Sequence, residues 1–399
     1  MNSTLRRAIV SVGAGTLILA SCSSDGAVTG TEQPDSGPAV VDPVETAAEP
    51  DAELDSAVDP DSGTALDEPP ATESQAASEP EAEPESDSDG QRGSELVPED
   101  AFPRTVESVV GETLIEVAPE RIVLGERRHI LSTLLALGVV PEQFFAYQLP
   151  YLDTRLLDWE QEALDELGAT PEIIDLDLSV LIPPIEPVVA ADPDLLIAAG
   201  TLELPITDQI AEVAPYVQVP GAADWRANVR IVSDAIGRPD DGDALVAEME
   251  AKIVETAAFA NDVGASGRTF AVVSFADTQT FVCRDPEFGP TSLQLQLGLV
   301  QPAEVARLGE AVCEPVSDEL IVELLGAVDF LHVFQFGGES VDEQLDDPIR
   351  RLIPALADGR FCYVPDSELG AAFDELNPLS IDLVLDELRR CAEVAAAGT

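Results

Sequence analysis

From Phe102 to Thr399, short apolar runs of strand size alternate with longer runs of helical period, and few architectures accommodate that alternation. Arg121-Ile122-Val123-Leu124-Gly125 predicts a short buried strand. An amphipathic helix over Arg128–Gly138 follows, closed by its glycine. Further strands are expected at Phe144–Tyr147, Ile173–Leu176, Asp194–Ala198 and Tyr216–Val219, with helices at Pro184–Ala191 and Leu204–Ala211. A long helical zone, Trp225–Ile236 and then Asp243–Asn261, interrupts the pattern. It restarts with strands at Thr269–Phe275, Val328–Phe334 and Arg360–Val364. Helices are expected at Ser292–Leu299, at Asp318–Leu325 with Ser317 as N-cap, and at Leu379–Ala395. Alternation of this kind implies parallel sheets with helices on their faces. The expected fold is therefore α/β: two lobes, 101–235 and 267–399, with mostly parallel sheets, joined by a rigid inter-lobe helix within 236–266. Nothing repeats at a fixed short period, which argues against a solenoid.

Upstream of residue 101 the chain has a different character. Arg6 and Arg7 precede an apolar run, Ala8–Ala20, of 13 residues. At about 1.5 Å per residue it is roughly 20 Å long, short of the ~30 Å hydrocarbon core of a bilayer. A charged start, a short apolar run and small residues at its end read as a secretory signal over 1–21. From Ser23 to Asp100 the chain holds 23 acidic side chains against Arg92 alone, and no aromatic residue. That composition cannot bury enough apolar area to offset the entropy of ordering it, so 22–100 is expected to be a disordered tether. For such a coil the expected span is roughly 50 Å, lengthened by self-repulsion.

The whole chain of 399 residues carries a formal charge of −57, and of its 20 cations only Lys252 is a lysine. So acidic a chain offers no basic stripe to displace phosphate counterions, and a nucleic-acid partner is excluded. The folded part holds four cysteines, Cys283, Cys313, Cys362 and Cys391. An even number in an exported chain favours disulfides. The pairing preferred is Cys283–Cys313 with Cys362–Cys391, because each pair lies within one half. Metal-bound or free thiols are the alternative. No CxxC occurs, however, and His129 and His332 are the only histidines, so no metal site is expected on the protein directly.

Several stretches resemble a known family. Leu19-Ala20-Ser21-Cys22 resembles the bacterial lipobox, which implies cleavage before Cys22 and acylation of its sulfur. The protein would then be anchored through Cys22 to the lipid bilayer, on the outer face of the bacterial cytoplasmic membrane. Ala118-Pro119-Glu120-Arg121-Ile122-Val123-Leu124, followed by Leu134–Val139, resembles the opening of class III substrate-binding proteins. These serve the ferric-siderophore, cobalamin and haem importers of the ABC type. Pro187–Ile197 resembles the family's stretch ending in Pro-Asp-Leu-Ile, and Val316–Leu320 and Leu379–Leu385 match later landmarks. The resemblance implies two lobes bridged by one helix, a ligand in the cleft between them, no enzymatic activity, and no cofactor beyond ferric iron carried inside a chelate. It also implies delivery to an ABC permease dimer, by a protein expected to be a monomer.

Ligands of such sheets collect beyond the carboxyl ends of the strands. The candidate cleft residues are therefore Arg127, Arg128, Tyr147, Tyr151, Arg284, Phe288 and Phe336. Guanidinium groups suit an anionic iron chelate, being planar multi-donor cations that stay charged. A ferric siderophore is the expected ligand; cobalamin or haem, or a non-transport surface adhesin of the same fold, are the alternatives. In the family, one Glu on each lobe engages Arg of the permease, and Glu186 and Glu319 sit at the matching places. A carboxylate in the first turn of a helix also complements the helix dipole, worth about 0.3–1 kcal/mol. No GxSxG, Walker A, HExxH or GxGxxG occurs, so no enzyme motif competes with a binding role.

Overall fold

The computed structural model describes residues 101–125, 128–146, 155–175, 185–199, 211–221, 224–276, 279–335, 344–365 and 367–397. The expected signal peptide, Cys22 and the acidic tether lie outside the described residues, as does all but the last residue of the helix expected at Leu204–Ala211. Among the described residues no helix is long and apolar enough to cross a membrane.

The first lobe is built on β3 (Ile122–Leu124), β4 (Gln143–Ala146), β5 (Glu172–Asp175), β6 (Leu195–Ala199) and β7 (Tyr216–Val219). They form one all-parallel sheet in the order β5-β4-β3-β6-β7. Every residue of β3, β4, β6 and β7 is buried, as a parallel sheet covered on both faces requires. Helix α1 (Arg128–Ala136) follows β3 and ends at Gly138, whose φ of 71° is the left-handed conformation of a helix C-terminus. Helices α2 (Asp158–Leu167) and α3 (Ile185–Ala190) follow β4 and β5, and α4 (Trp225–Ala235) follows β7.

A hairpin absent from the sequence reading, β1 (Arg104–Ser108) with β2 (Gly111–Ile115), precedes this lobe. It lies against edge strand β7: Val109 N–H donates to the Gln218 carbonyl at 3.0 Å and Thr113 Oγ1 to that of Tyr216 at 2.6 Å. Covering an edge in this way removes a template for unwanted strand pairing.

Helix α5 (Pro239–Val263) is the span expected between the lobes. Pro239 starts it and Gly264, at φ 89°, stops it. It is ion-paired in both directions. Glu250 and Asp243 receive Arg226 and Arg230 of α4 at 2.6 and 2.8 Å. Lys252 reaches Asp382 at 2.9 Å, and Glu255 receives Arg389 at 3.6 Å, both on α11 (Ile381–Ala397).

The second sheet contains β8 (Phe270–Ala276), β9 (Gln279–Cys283), β10 (Cys313–Val316), β11 (Phe330–Phe334) and β12 (Phe361–Val364), in the order β10-β9-β8-β11-β12. Strands β8, β11 and β12 are parallel, and β9 runs antiparallel to both of its neighbours. Among the described residues the helices of this lobe include α6 (Gly289–Gln296), α7 (Ala303–Ala306), α8 (Asp318–Leu325), α9 (Pro354–Ala357), α10 (Glu368–Asp374) and α11.

Strand alternation divides the apolar residues by face. Val272, Phe330, Cys362 and Val364 join Met249 and Ile253 of α5 and Leu124 and Ile197 of the first sheet in one continuous core. Ala271, Val273, Phe275, Leu331 and Val333 face the other way, under Ile321 and Leu325 of α8. The fold class is α/β with largely parallel sheets, as the alternation predicts. Both expected disulfides are present: Cys283–Cys313 joins paired positions of β9 and β10, and Cys362–Cys391 ties β12 to α11.

Candidate functional site

The carboxyl ends of the two sheets are brought together by a hydrogen bond. Helix α2 starts beyond β4 of the first sheet, and α10 starts beyond β12 of the second. Asp158 N–H, at the start of α2, donates to Glu368 Oε1, at the start of α10, over 2.7 Å. The groups between those ends therefore form the candidate site.

From the first lobe come Arg155, Trp159 and Gln218. Arg155 pairs with Asp175, the last residue of β5, at 2.9 Å, and both side chains remain substantially exposed. Trp159 is half-buried beside Asp158, with an indole N–H that is buried and without a partner. Gln218 of β7 is buried and donates to the Ala199 carbonyl at 3.2 Å.

From the second lobe come Arg350, Gln335 and Tyr363. The Arg350 guanidinium lies 4.7 Å from the ring centroid of Phe275, near the carboxyl end of β8, and the residue is only 7% exposed. Asp347 holds the turn that carries it, accepting Arg350 N–H at 3.0 Å and Ile349 N–H at 2.8 Å. The hydrogen bond from Arg350 N–H is the main reason that the Asp347 carboxyl titrates below its ordinary range. Gln335 directly follows β11 and accepts from the Tyr363 hydroxyl. Behind it Phe334 packs edge-on to Phe373 of α10, ring centroids 5.3 Å apart.

Of the residues singled out in the sequence, Arg127, Tyr147, Tyr151 and Phe336 lie outside the described residues. Arg128 is described only as the first residue of α1, at the carboxyl end of β3. Arg284 is a correction. Because β9 runs antiparallel, Cys283 pairs with Val272 near the start of β8, so the following Arg284 lies at the far end of the sheet. Its guanidinium is engaged there by the carbonyls of Ala311 and Glu310 at 3.0 and 3.1 Å. Phe288 is half-buried at the N-cap of α6 and packs on the main core. Glu186 and Glu319 are both exposed, in the first turns of α3 and α8, which start beyond the carboxyl ends of β5 and β10.

Arg155 and Arg350 were not recognised from the sequence. Each sits in a stretch with no motif, and only the fold places it at the carboxyl end of a sheet, Arg155 beside β5 and Arg350 beside β8. Among the described residues, one group of Cys, His and carboxylate ligand atoms is close enough to hold an ion: Cys362, Glu387 and Cys391. Its two sulfurs are joined to each other as a disulfide.

No family model matches the chain, and no curated protein matches it. Solved structures do. One is PiaA, an iron-uptake ABC transporter substrate-binding protein from Streptococcus pneumoniae TIGR4, in complex with ferrichrome; it is 22% identical over 74% of this chain and 99% of its own, with a TM-score of 0.62. Another is Staphylococcus aureus SirA complexed with staphyloferrin B, at 15% identity, 72% and 98% coverage and a TM-score of 0.60. A third is FeuA from Bacillus subtilis, a triscatecholate siderophore-binding protein complexed with ferri-bacillibactin, at 16%, 72% and 98%, and 0.56. The chain thus has the fold of iron and siderophore substrate-binding proteins of ABC transporters, over nearly the whole length of each.

Proposed function

We propose that this protein is a membrane-anchored extracytoplasmic solute-binding protein that captures a ferric siderophore between its lobes and delivers it to an ABC import permease. It binds and releases its ligand without chemical change, so it is not an enzyme. The observation that carries this reading is the meeting of the two sheets' carboxyl ends at Asp158 and Glu368 in a fold shared with three siderophore-bound or iron-uptake structures. Arg155 and Arg350 supply fixed positive charge from opposite lobes, which suits an anionic chelate. Glu186 and Glu319 remain the docking residues for the permease. Cys22 would carry the acyl anchor, and the segment after it would be the spacer.

Ferrichrome, ferric staphyloferrin B, ferri-bacillibactin, cobalamin and haem should each be titrated against the protein, following tryptophan emission and confirming stoichiometry by native mass spectrometry. Trp159 stands at the lobe junction and Trp225 is buried in α4, so quenching is expected from Trp159. Saturable one-to-one binding of at least one ferric siderophore is the expected result. Saturable binding of none of these ligands would sink the reading.

A further inference from the structure

Helix α2 opens without a cap of its own. Leu157 occupies the N-cap position, and its side chain has no oxygen to accept from the first amides of the helix. Two carboxylates stand in for it. Glu160 turns back from the third helical position to accept Leu157 N–H at 2.9 Å. The other is Glu368, which accepts Asp158 N–H at 2.7 Å from 210 residues further along the chain.

The second cap belongs to the other lobe. It spans the rim from the carboxyl end of one sheet to the carboxyl end of the other. Elsewhere among the described residues the lobes are joined through α5, whose ion pairs to α4 and α11 hold it to both, and through Arg226 of α4, whose guanidinium donates to Gln296 Oε1 of α6 at 3.5 Å beside that helix. The core is continuous there, so separation of the lobes at α5 would expose apolar area. At the rim the bond joins an exposed residue to a half-buried one, and breaking it leaves the Asp158 amide to water at little cost. The helix dipole adds to the attraction, because a carboxylate is favoured at an N-terminus. The contact along α5 is therefore the firmer of the two, and the rim contact the weaker.

We infer that Glu368 is a positioning residue that sets the closure of the two lobes by capping α2 across the cleft. Its effect on the ligand rests on the function proposed above; its effect on lobe separation does not. A ligand that touches both lobes binds the closed arrangement, so lowering the closed population lowers apparent affinity in proportion.

The test uses nitroxide labels at Glu166→Cys on α2 and Glu304→Cys on α7, with both disulfides intact and no ligand added. Glu368→Ala should shift the inter-label distance distribution to longer values and broaden it. Glu368→Gln, which keeps a carbonyl acceptor, should restore most of the original distribution. With ferrichrome or whichever ferric siderophore binds, Glu368→Ala should speed dissociation about tenfold, with the Gln variant between it and the parent. An unchanged distance distribution in Glu368→Ala would overturn the inference, and so would a Gln variant indistinguishable from the Ala one. If the parent protein binds no ferric siderophore, the functional reading fails, while the label distances still decide the role of Glu368.

Discussion

Gln294 Nε2 of α6 lies 2.9 Å from His332 Nδ1 of β11, both residues being fully buried. The ring is enclosed by Phe334 and Phe373, at centroid distances of 4.6 and 5.2 Å. Burial, assisted by the positive charge of Arg390, lowers the His332 pKa from 6.5 to about 3. The unfolded chain therefore takes up this proton first. The stability contributed by neutral His332 is complete above pH 6.5, and it is lost as pH falls from 6.5 toward 3. The slope is up to about 1.4 kcal/mol per pH unit for one proton. Urea unfolding at pH 7, 5.5 and 4.5 should show a shallower pH dependence in His332→Gln than in the parent. Equal slopes would refute the assignment. Asp329 and Asp347, both held below their ordinary range, lose stability in the same direction and are common to both proteins.

Helices α4 and α5 approach closely at Gly242. A β-carbon there would stand 2.3 Å from Ser233 Oγ and 2.4 Å from its Cβ. Ser233 is itself buried and donates to the Val229 carbonyl at 2.6 Å. Gly242→Ala should therefore destabilise the protein by about 1–3 kcal/mol through overpacking, despite the better helix propensity of Ala. A thermal melt checks it, and a raised Tm would contradict the packing.

Each disulfide closes a loop of comparable size, with sequence separations of 30 and 29. Chain-entropy reasoning gives each about 3–4 kcal/mol. Cys362→Ser with Cys391→Ser should lower the unfolding free energy by that order, as should the corresponding Cys283 and Cys313 pair. Chemical denaturation without reductant measures both.

Arg155 and Asp175 form an exposed pair, worth about 0–1 kcal/mol to stability. Arg155→Ala should leave the Tm nearly unchanged. A charge-assisted bond to an anionic ligand contributes about 1.5–3 kcal/mol, so affinity should fall roughly tenfold or more. Parallel calorimetry of stability and binding separates the two effects, and unchanged affinity would remove Arg155 from the site.

Glu186→Lys combined with Glu319→Lys reverses two exposed charges, one on each lobe, far from the buried core. Uptake into cells should be abolished, while the purified protein keeps its ligand affinity. Normal uptake would exclude docking through these residues.

The buried strands were legible because both faces of a parallel sheet are covered, so β3 and β6 appear as unbroken apolar runs and β11 as one interrupted only by His332. Helix α5 was legible from its length and polarity. The β9–β10 ribbon was not, because Cys283 and Cys313 belong to short strands with no alternation, and its antiparallel return misplaced Arg284. Helix α2 was also missed: its N-cap position is Leu157, whose side chain offers no capping signal, and the carboxylates that stand in for it are Glu160 and the distant Glu368.

Local patterns of hydrophobicity and charge determined the α/β class, the inter-lobe helix, the pairing of cysteines close in sequence and the exclusion of nucleic acid. Those properties depend on neighbours within a few tens of residues. Tertiary structure decided which groups lie at the carboxyl ends of the sheets. Arg155 and Arg350 are separated by almost two hundred positions and carry no motif. What places each at the carboxyl end of its own sheet is strand order and direction, and the bond between Asp158 and Glu368 forms only after both sheets have been assembled.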